Sequence, residues 1–461
     1  MSARGNEMKS LKLSEVAEYC GGSLLQGVPS QEATGVSTDT RTIGEGDVFV
    51  ALKGENFNGH EYLEEAASKG CAVVMVSELP AASEAIECGI IHVGDTLKGL
   101  QQLAKRYRRA LDLKVVVITG SSGKTSTKDM IDAVLRQRYR VNATRGNLNN
   151  HIGLPLTILR TEASDECGVW EIGMNHPGEI EVLAELAGPD VGVITNVGTA
   201  HIEYMGSRDA IALEKGMLAE TVPEGGCVIL NAGDDYTDAI AERTAARVVR
   251  AGIDAGEVSG RGVQPESGGS AFVLEAGGSE AEAFVPVPGR HMVGNALLAA
   301  AVGMELGMSG EEVAAGLREA KLTGGRLERK ERDGVVYLDD SYNANPDSMR
   351  AALETLAGET VEGKRIAVLG RMAELGDAAE TEHRGVGETV AALGIERLVT
   401  VGEDANLIKE GAGDGVEAAH FGTHAEAVAA LRELVSSGDV VLLKGSRSAG
   451  METVLEGLFA K

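Results

Sequence analysis

Residues 114–126 read Lys-Val-Val-Val-Ile-Thr-Gly-Ser-Ser-Gly-Lys-Thr-Ser, and no other stretch limits the fold as tightly. A β-branched run without polar alternation suits a strand buried on both faces, as parallel sheets provide. The Gly-Ser-Ser-Gly that follows has to turn the chain, and residues from Thr127 to about Arg138 have helical length. Strand, glycine turn and helix in that order aim successive backbone N–H groups, and the positive end of the helix dipole, at one point. That is a cradle for phosphate oxygens. Lys124 then reaches the terminal phosphates and Thr125 can ligate Mg²⁺. The spacing, G-x-x-G-K-T, is shorter than the usual G-x-x-x-x-G-K-[ST], so a plain strand-to-helix turn is the competing reading. The flanking strand and helix favour phosphate binding. The candidate loop is Gly120, Ser121, Ser122, Gly123, Lys124, Thr125 and Ser126, with Ser121 and Ser122 as loop formers.

A chain of 461 residues exceeds what one core holds, roughly 250–300 residues. Three α/β units separate by pattern. Residues 1–112 carry short strands at 47–52, 72–76 and 90–93 and a last helix at 97–110, basic at 105–109. Residues 113–322 add strands at 168–172, 191–196 and 227–231 with helix-length segments between, which implies right-handed βαβ units and a parallel sheet. Residues 260–278, rich in Gly and Ser, suggest hairpins with loose loops, before a helix at 295–306. Residues 323–461 carry strands at 335–339, 365–370, 397–401, 418–421 and 440–444, an order that fits an open doubly wound, Rossmann-like sheet.

The formal net charge of −27 argues against nucleic acid, whose phosphates need Lys and Arg, and against an anionic membrane surface. An anionic substrate would need a locally basic pocket. Five scattered cysteines without a C-x-x-C pair read as reduced thiols of a cytoplasmic protein. No apolar stretch approaches the ~20 residues of a membrane span, and the polar start, 1–13, has no signal-peptide core.

Ligands of parallel sheets gather at the carboxyl ends of the strands. The strand at 168–172 brings Glu171 there, and the next leads into Thr195-Asn196 and then His201, with Glu214-Lys215 beyond. Singly, each is weak: a histidine after a strand is more often a loop hydrogen-bonder, and Glu-Lys is more often a solvated helix face. Together they converge on one crevice.

In order along the chain come Ser37-Thr38-Asp39-Thr40-Arg41, the phosphate loop, Gly146-Asn147-Leu148-Asn149-Asn150-His151, Glu171-Ile172-Gly173-Met174-Asn175, Glu214-Lys215-Gly216 and Gly289-Arg290-His291…Asn295. They continue with Gly325-Arg326-Leu327, Asp339-Asp340-Ser341-Tyr342-Asn343-Ala344-Asn345-Pro346, Glu374-Leu375-Gly376 and Lys444-Gly445-Ser446-Arg447. In these stretches the chain resembles the ATP-dependent Mur ligases of peptidoglycan synthesis, over essentially its whole length.

The resemblance implies an N-terminal domain for the UDP-sugar, a central ATP-binding domain and a C-terminal Rossmann-like domain. It implies that Lys124 and Thr125 hold ATP phosphates and Mg²⁺, and that Glu171, His201 and Lys215 serve as catalytic and metal-binding groups for two Mg²⁺ ions. Lys215 matches a lysine carbamoylated in the family; a carbamate supplies an anionic oxygen that a hard cation prefers. Asn295, opening a helix, would bind adenine, and Arg326 and Asp340 the phosphates and ribose. Asp339 and Asp340 could instead be a helix N-cap. Ser37, Asp39, Arg41, Asn147, Asn149 and Asn150 would contact a UDP-N-acetylmuramoyl-tripeptide, with Arg41 on the diphosphate, although Asn149-Asn150 could simply cap a turn.

The run 339–346 resembles that of members adding a dipeptide, and the Asp-Asn-Pro-Arg motif of diaminopimelate-adding members is missing. Asn343, Asn345, Lys444, Ser446 and Arg447 therefore become candidates for holding D-alanyl-D-alanine. Arg371 stands where the family commonly has Asp. The expected reaction is amide formation through an acyl-phosphate, by a monomeric cytoplasmic enzyme. The competing readings are a ligase for another amine and a nucleotide-dependent switch that does not ligate.

Overall fold

The β-branched run Lys114–Thr119 lies inside a nine-stranded sheet in the computed structural model, which describes residues 8–79 and 86–460. The first seven residues of the polar start, read above as lacking a signal core, lie outside the described residues. Val116 and Ile118 enter one apolar cluster and Val115 and Val117 another, so the strand is covered on both faces and alternation has no reason to appear. Parallel neighbours flank it: Cys167–Glu171 then Val141–Ala143 on one side, and Val191–Ile194, Cys227–Asn231 and Arg247–Ile253 on the other. Trp170, the chain's one tryptophan, is fully buried in the strand beside Lys114–Thr119, its indole N–H donating to Asn142 Oδ1 at 3.0 Å.

The Gly/Ser-rich stretch is more ordered than expected. Val258–Glu266 joins the same sheet parallel to Arg247–Ile253, and Gly269–Ala276 and Ser279–Val285 extend it as antiparallel strands. The connections are tight two-residue turns: Gly277 and Gly278 both take positive φ, 56° and 80°, the geometry that matches strand twist in a short hairpin.

A five-stranded sheet is formed by residues 23–92, in the order Ser23–Gln26, Gly89–His92, Val73–Val76, Asp47–Val50 and Gly35–Ser37. The helix Thr96–Arg109, capped by Asp95, leads from it to the nine-stranded sheet. A six-stranded sheet follows from residue 328, in the order Glu328–Arg332, Val335–Asp340, Val440–Lys444, Arg365–Gly370, Arg397–Val401 and Glu417–Phe421. Its last five strands are parallel, as anticipated. The antiparallel edge strand Glu328–Arg332 was not, because Glu-Arg-Lys-Glu-Arg carries no apolar signal.

Candidate active site

Gly123 sits at φ 77°, and this left-handed turn lets the helix begin at Lys124, three residues earlier than the sequence pattern suggests. Lys124 is thus the first helical residue, and its Nζ donates to the Gly120 carbonyl at 2.7 Å. The next strand braces the loop. Asn196 Oδ1 accepts from the Ser122 N–H at 2.9 Å, and the Thr195 hydroxyl donates to the Ser122 carbonyl at 2.6 Å.

A cavity of about 1800 Å³ opens at the carboxyl ends of these strands, closed on its far side by loops of the six-stranded sheet. Ser121 to Ser126, Asn147, Asn149, Asn150, Glu171, His201, Asn295, Arg326, Asp340, Asn343, Asn345, Lys444, Ser446 and Arg447 all line it. Residues more than 300 positions apart in sequence therefore meet in one place.

Glu171 is the junction. Its Oε2 accepts from the Thr125 hydroxyl at 2.6 Å and its Oε1 from Asn149 Nδ2 at 2.8 Å. Arg326 donates to the same Thr125 oxygen at 2.9 Å and lies over the Tyr342 ring, 4.3 Å from its centre. Arg326 Nε is buried and has no hydrogen-bond partner among the described residues. A buried donor left open costs about 1–3 kcal/mol, so this one suits a phosphate oxygen. Burial pushes the Lys124 amine down from its ordinary pKa, with Glu171 pulling the other way and Arg326 adding to the depression. Phosphates would reverse that balance.

The site fits Mg²⁺ in part. Thr125 and Glu171 present hard oxygens side by side. Among the described residues no group of three or more His, Cys, Asp or Glu converges as a ready cation cage. Mg²⁺ normally takes one or two carboxylates and fills its octahedron with substrate phosphates and water, which is what this donor set leaves room for.

Lys215 and Glu214, on the helix Arg208–Thr221, are both buried, so the solvated-face reading does not apply. Glu214 accepts from the N–H groups of Gly178 and Ile180 at 2.9 and 2.8 Å and anchors the start of the helix Glu179–Ala187. Lys215 is buried and does not line the cavity, and its amine has no hydrogen-bond or ion-pair partner among the described residues. Burial pushes its amine well below the ordinary lysine range, Lys124 pushes it further, and Glu214 opposes.

Other positions differ from expectation. Asn295 does not open its helix, which starts at Arg290 after Gly289 at φ 109°; it lies in the second turn, against Gly123. Asn149 and Asn150 divide their roles: Asn149 holds Glu171, and Asn150 Oδ1 caps a turn by accepting from Ile152 and Gly153. Asp339 forms a local turn with Ser341, while Asp340 pairs with Lys444 at 2.5 Å. Lys444 also donates to the Asn343 carbonyl at 2.9 Å, and Asn343 Oδ1 accepts from Ala344. Asn345 caps the helix Pro346–Gly358 and donates to Ser122 Oγ at 3.0 Å.

Ser37, Asp39 and Arg41 stand apart from this cavity. Arg41 forks onto Asp39, at 2.9 and 2.7 Å, and holds that carboxyl down at about 2. Ser37 donates to the Asp39 carbonyl at 3.0 Å. Arg371 pairs with Asp404 at 3.1 Å and donates to Ser448 at 3.2 Å.

Three lining residues received no role from sequence, although His291 and Glu374 stand in the stretches quoted above. His291 lies in the cavity, its pKa pushed down to about 4 by burial and by Lys444. Glu374 approaches His201, and both are non-glycine residues in the left-handed region, at φ 61° and 64°. Such conformations cost ~1–3 kcal/mol each and persist where surroundings impose them. Asp347 accepts from the Thr199 N–H at 2.9 Å and its hydroxyl at 3.2 Å, binding the six-stranded sheet's first helix to the loop ahead of His201.

That last contact needs glycine at 198, where an added Cβ would lie 2.2 Å from Asp347 Oδ2. Hydrogen bonds to a charged group are worth ~1.5–3 kcal/mol, so Gly198→Ala is expected to weaken binding of a non-hydrolysable ATP analogue about 10- to 100-fold in calorimetry. An unchanged affinity would mean that this contact does not hold the cavity shut.

Residues 32–108, 118–303 and 325–447 match models described as the Mur ligase family catalytic domain, the Mur ligase middle domain and the Mur ligase glutamate ligase domain. The UDP-N-acetylmuramoyl-tripeptide–D-alanyl-D-alanine ligase of Bacillus subtilis is 39% identical over 451 residues, covering 96% of this chain and 97% of that one. A crystal structure of MurF from Acinetobacter baumannii superposes with a TM-score of 0.91 at 33% identity, covering 98% of this chain and 100% of that one. A MurF ligase from Thermotoga maritima, solved in complex with ADP, gives 0.83 at 29% identity over 92% of this chain and 96% of its own. Similarity of this extent, over all three matched regions, makes the chain a member of the Mur ligase family.

Proposed function

We propose that this chain joins D-alanyl-D-alanine to the terminal carboxylate of UDP-N-acetylmuramoyl-tripeptide at the expense of ATP, in the supply of peptidoglycan precursors. The observation that carries the reading is Glu171, one carboxylate that ties the nucleotide loop at Thr125 to the 147–150 loop at Asn149. Nucleotide and acceptor are thereby brought to one point. In this reading residues 1–112 bind the UDP-sugar, 113–322 bind ATP, and 323–461 close the cavity and present the amine.

The tripeptide carboxylate attacks the γ-phosphorus, ADP departs, and an acyl-phosphate results. The dipeptide amine then attacks the acyl carbon, inorganic phosphate leaves, and the amine's proton passes to solvent or phosphate. No protein nucleophile is required. Lys124 and Arg326 place positive charge where it develops on the phosphoryl oxygens, inside a site whose low dielectric strengthens each contact. Mg²⁺, two ions in this reading, would be held by Thr125 and Glu171 and by His201 with Lys215 as its carbamate, and would neutralise phosphate charge. Seating Asn345 on Ser122 and Asp347 on Thr199 excludes water from the acyl-phosphate.

Among the described residues no helix is long and apolar enough to cross a membrane. We assign the enzyme to the cytoplasm, where ATP and the nucleotide-linked precursor are found, acting as a monomer. The deciding assay is phosphate release from ATP with UDP-N-acetylmuramoyl-tripeptide present, with and without D-alanyl-D-alanine. Release is expected only when all three are supplied. Release indifferent to the dipeptide would sink the assignment and leave an ATPase.

A further inference from the structure

The loop that carries His201 is gripped from both sides by the six-stranded sheet and its helices. Ahead of the histidine, Asp347 holds Thr199; behind it, the Glu203 N–H donates to the Glu374 carbonyl at 3.3 Å. Gly376 packs against Glu203 at φ 51°, with an added Cβ only 3.2 Å from the Glu203 side chain. Between these grips His201 Nδ1 lies 2.5 Å from Glu374 Oε2, although the ring is not turned to aim its N–H squarely at that oxygen. His176, the other imidazole near Glu374, is 3.7 Å from Glu179 instead.

A carboxylate lining a cavity that admits a triphosphate is an electrostatic liability unless something else needs it. Here its neighbour is the one histidine assigned to a metal. A histidine that ligates through one ring nitrogen commonly gives the proton of the other to a carboxylate, which fixes tautomer and ring direction.

We propose that Glu374 is a positioning residue for His201: it accepts a hydrogen bond from the Nδ1–H, leaves Nε2 as the free ring nitrogen, and does so only while the six-stranded sheet is seated on the nine-stranded one. Seating then favours cation binding, since the orienting carboxylate belongs to the six-stranded sheet's side of the cavity. The inference rests on His201 being a metal ligand.

The test uses the full chain with Mn²⁺ as probe, its binding read by electron paramagnetic resonance with and without β,γ-methylene-ATP, beside small-angle scattering. With the analogue, Glu374→Ala is expected to weaken Mn²⁺ binding about 10- to 100-fold, the usual effect of removing such a partner, while compaction persists. Glu374→Gln, whose amide oxygen still accepts the Nδ1 proton, recovers part of the loss. Without the analogue, wild type and variants bind alike. If His201→Ala weakens Mn²⁺ and Glu374→Ala does not, this inference fails and the metal-ligand reading stands. If neither weakens it, His201 is no ligand and both fall. Loss of compaction together with Mn²⁺ in Glu374→Ala would make Glu374 a latch and overturn the positioning role.

Discussion

Lys124→Met is expected to lower amine-dependent phosphate release about 10³-fold while leaving the fold in place. Methionine keeps most of the stem of the side chain and loses only the ammonium, so packing around the first turn of the helix survives. What disappears is the donor on the Gly120 carbonyl and, in the loaded site, the charge on the terminal phosphates. Removing one preorganised donor from a developing anion typically costs 10²–10³ in rate, and a full charge in a buried site belongs at the upper end. The check is single-turnover acyl-phosphate formation from ATP and the muramoyl-tripeptide, with circular dichroism as the fold control. A fall of less than about tenfold would remove Lys124 from the phosphoryl-transfer step.

Lys215→Ala is expected to lower turnover about 10²–10³-fold, with partial recovery in acetate or formate. An amine adds to CO₂ only when neutral, and burial with the nearby Lys124 charge favours the neutral amine. Carbamoylation places an anion near the Lys124 ammonium, a favourable pairing, and supplies an anionic oxygen for a hard cation. Small carboxylates would enter the space vacated in the alanine variant and present the same kind of oxygen. Carbon-13 NMR in labelled bicarbonate supplies a readout independent of turnover: a carbamate resonance in the wild type that is missing from the variant. A fully active alanine variant, or a wild type with no such resonance, would end this reading.

The sequence carried the parts of the fold that have a local cause. Val115 to Ile118 had to form a strand covered on both faces, and the Gly-Ser-Ser-Gly after it had to turn, whatever lay elsewhere in the chain. Glu328–Arg332 carried no such signal, since a charged edge strand is defined by the partner it pairs with. Asn295 was placed at a helix start because the apolar run begins there, whereas Gly289 starts the helix a turn earlier. Glu171 and His201 were legible because they follow strand ends, whereas Asn295, inside a helix, and Arg326, ahead of its strand, were reached only through the family resemblance. The contacts of Asp347 and Glu374 were not legible, since Thr199 and His201 lie far from them along the chain and only the packing of two sheets brings them together.

The solitary indole at Trp170 gives this enzyme a built-in lamp of narrow reach. Emission excited at the red edge of the protein band comes from one side chain, on the strand that ends in Glu171, sealed from water and fixed by Asn142. A melt followed by that light reports the sheet that carries the phosphate loop and is blind to the five- and six-stranded ones. Mismatch between the fluorescence transition and one followed by circular dichroism would therefore be a direct gauge of whether the three large sheets come apart together or in turn.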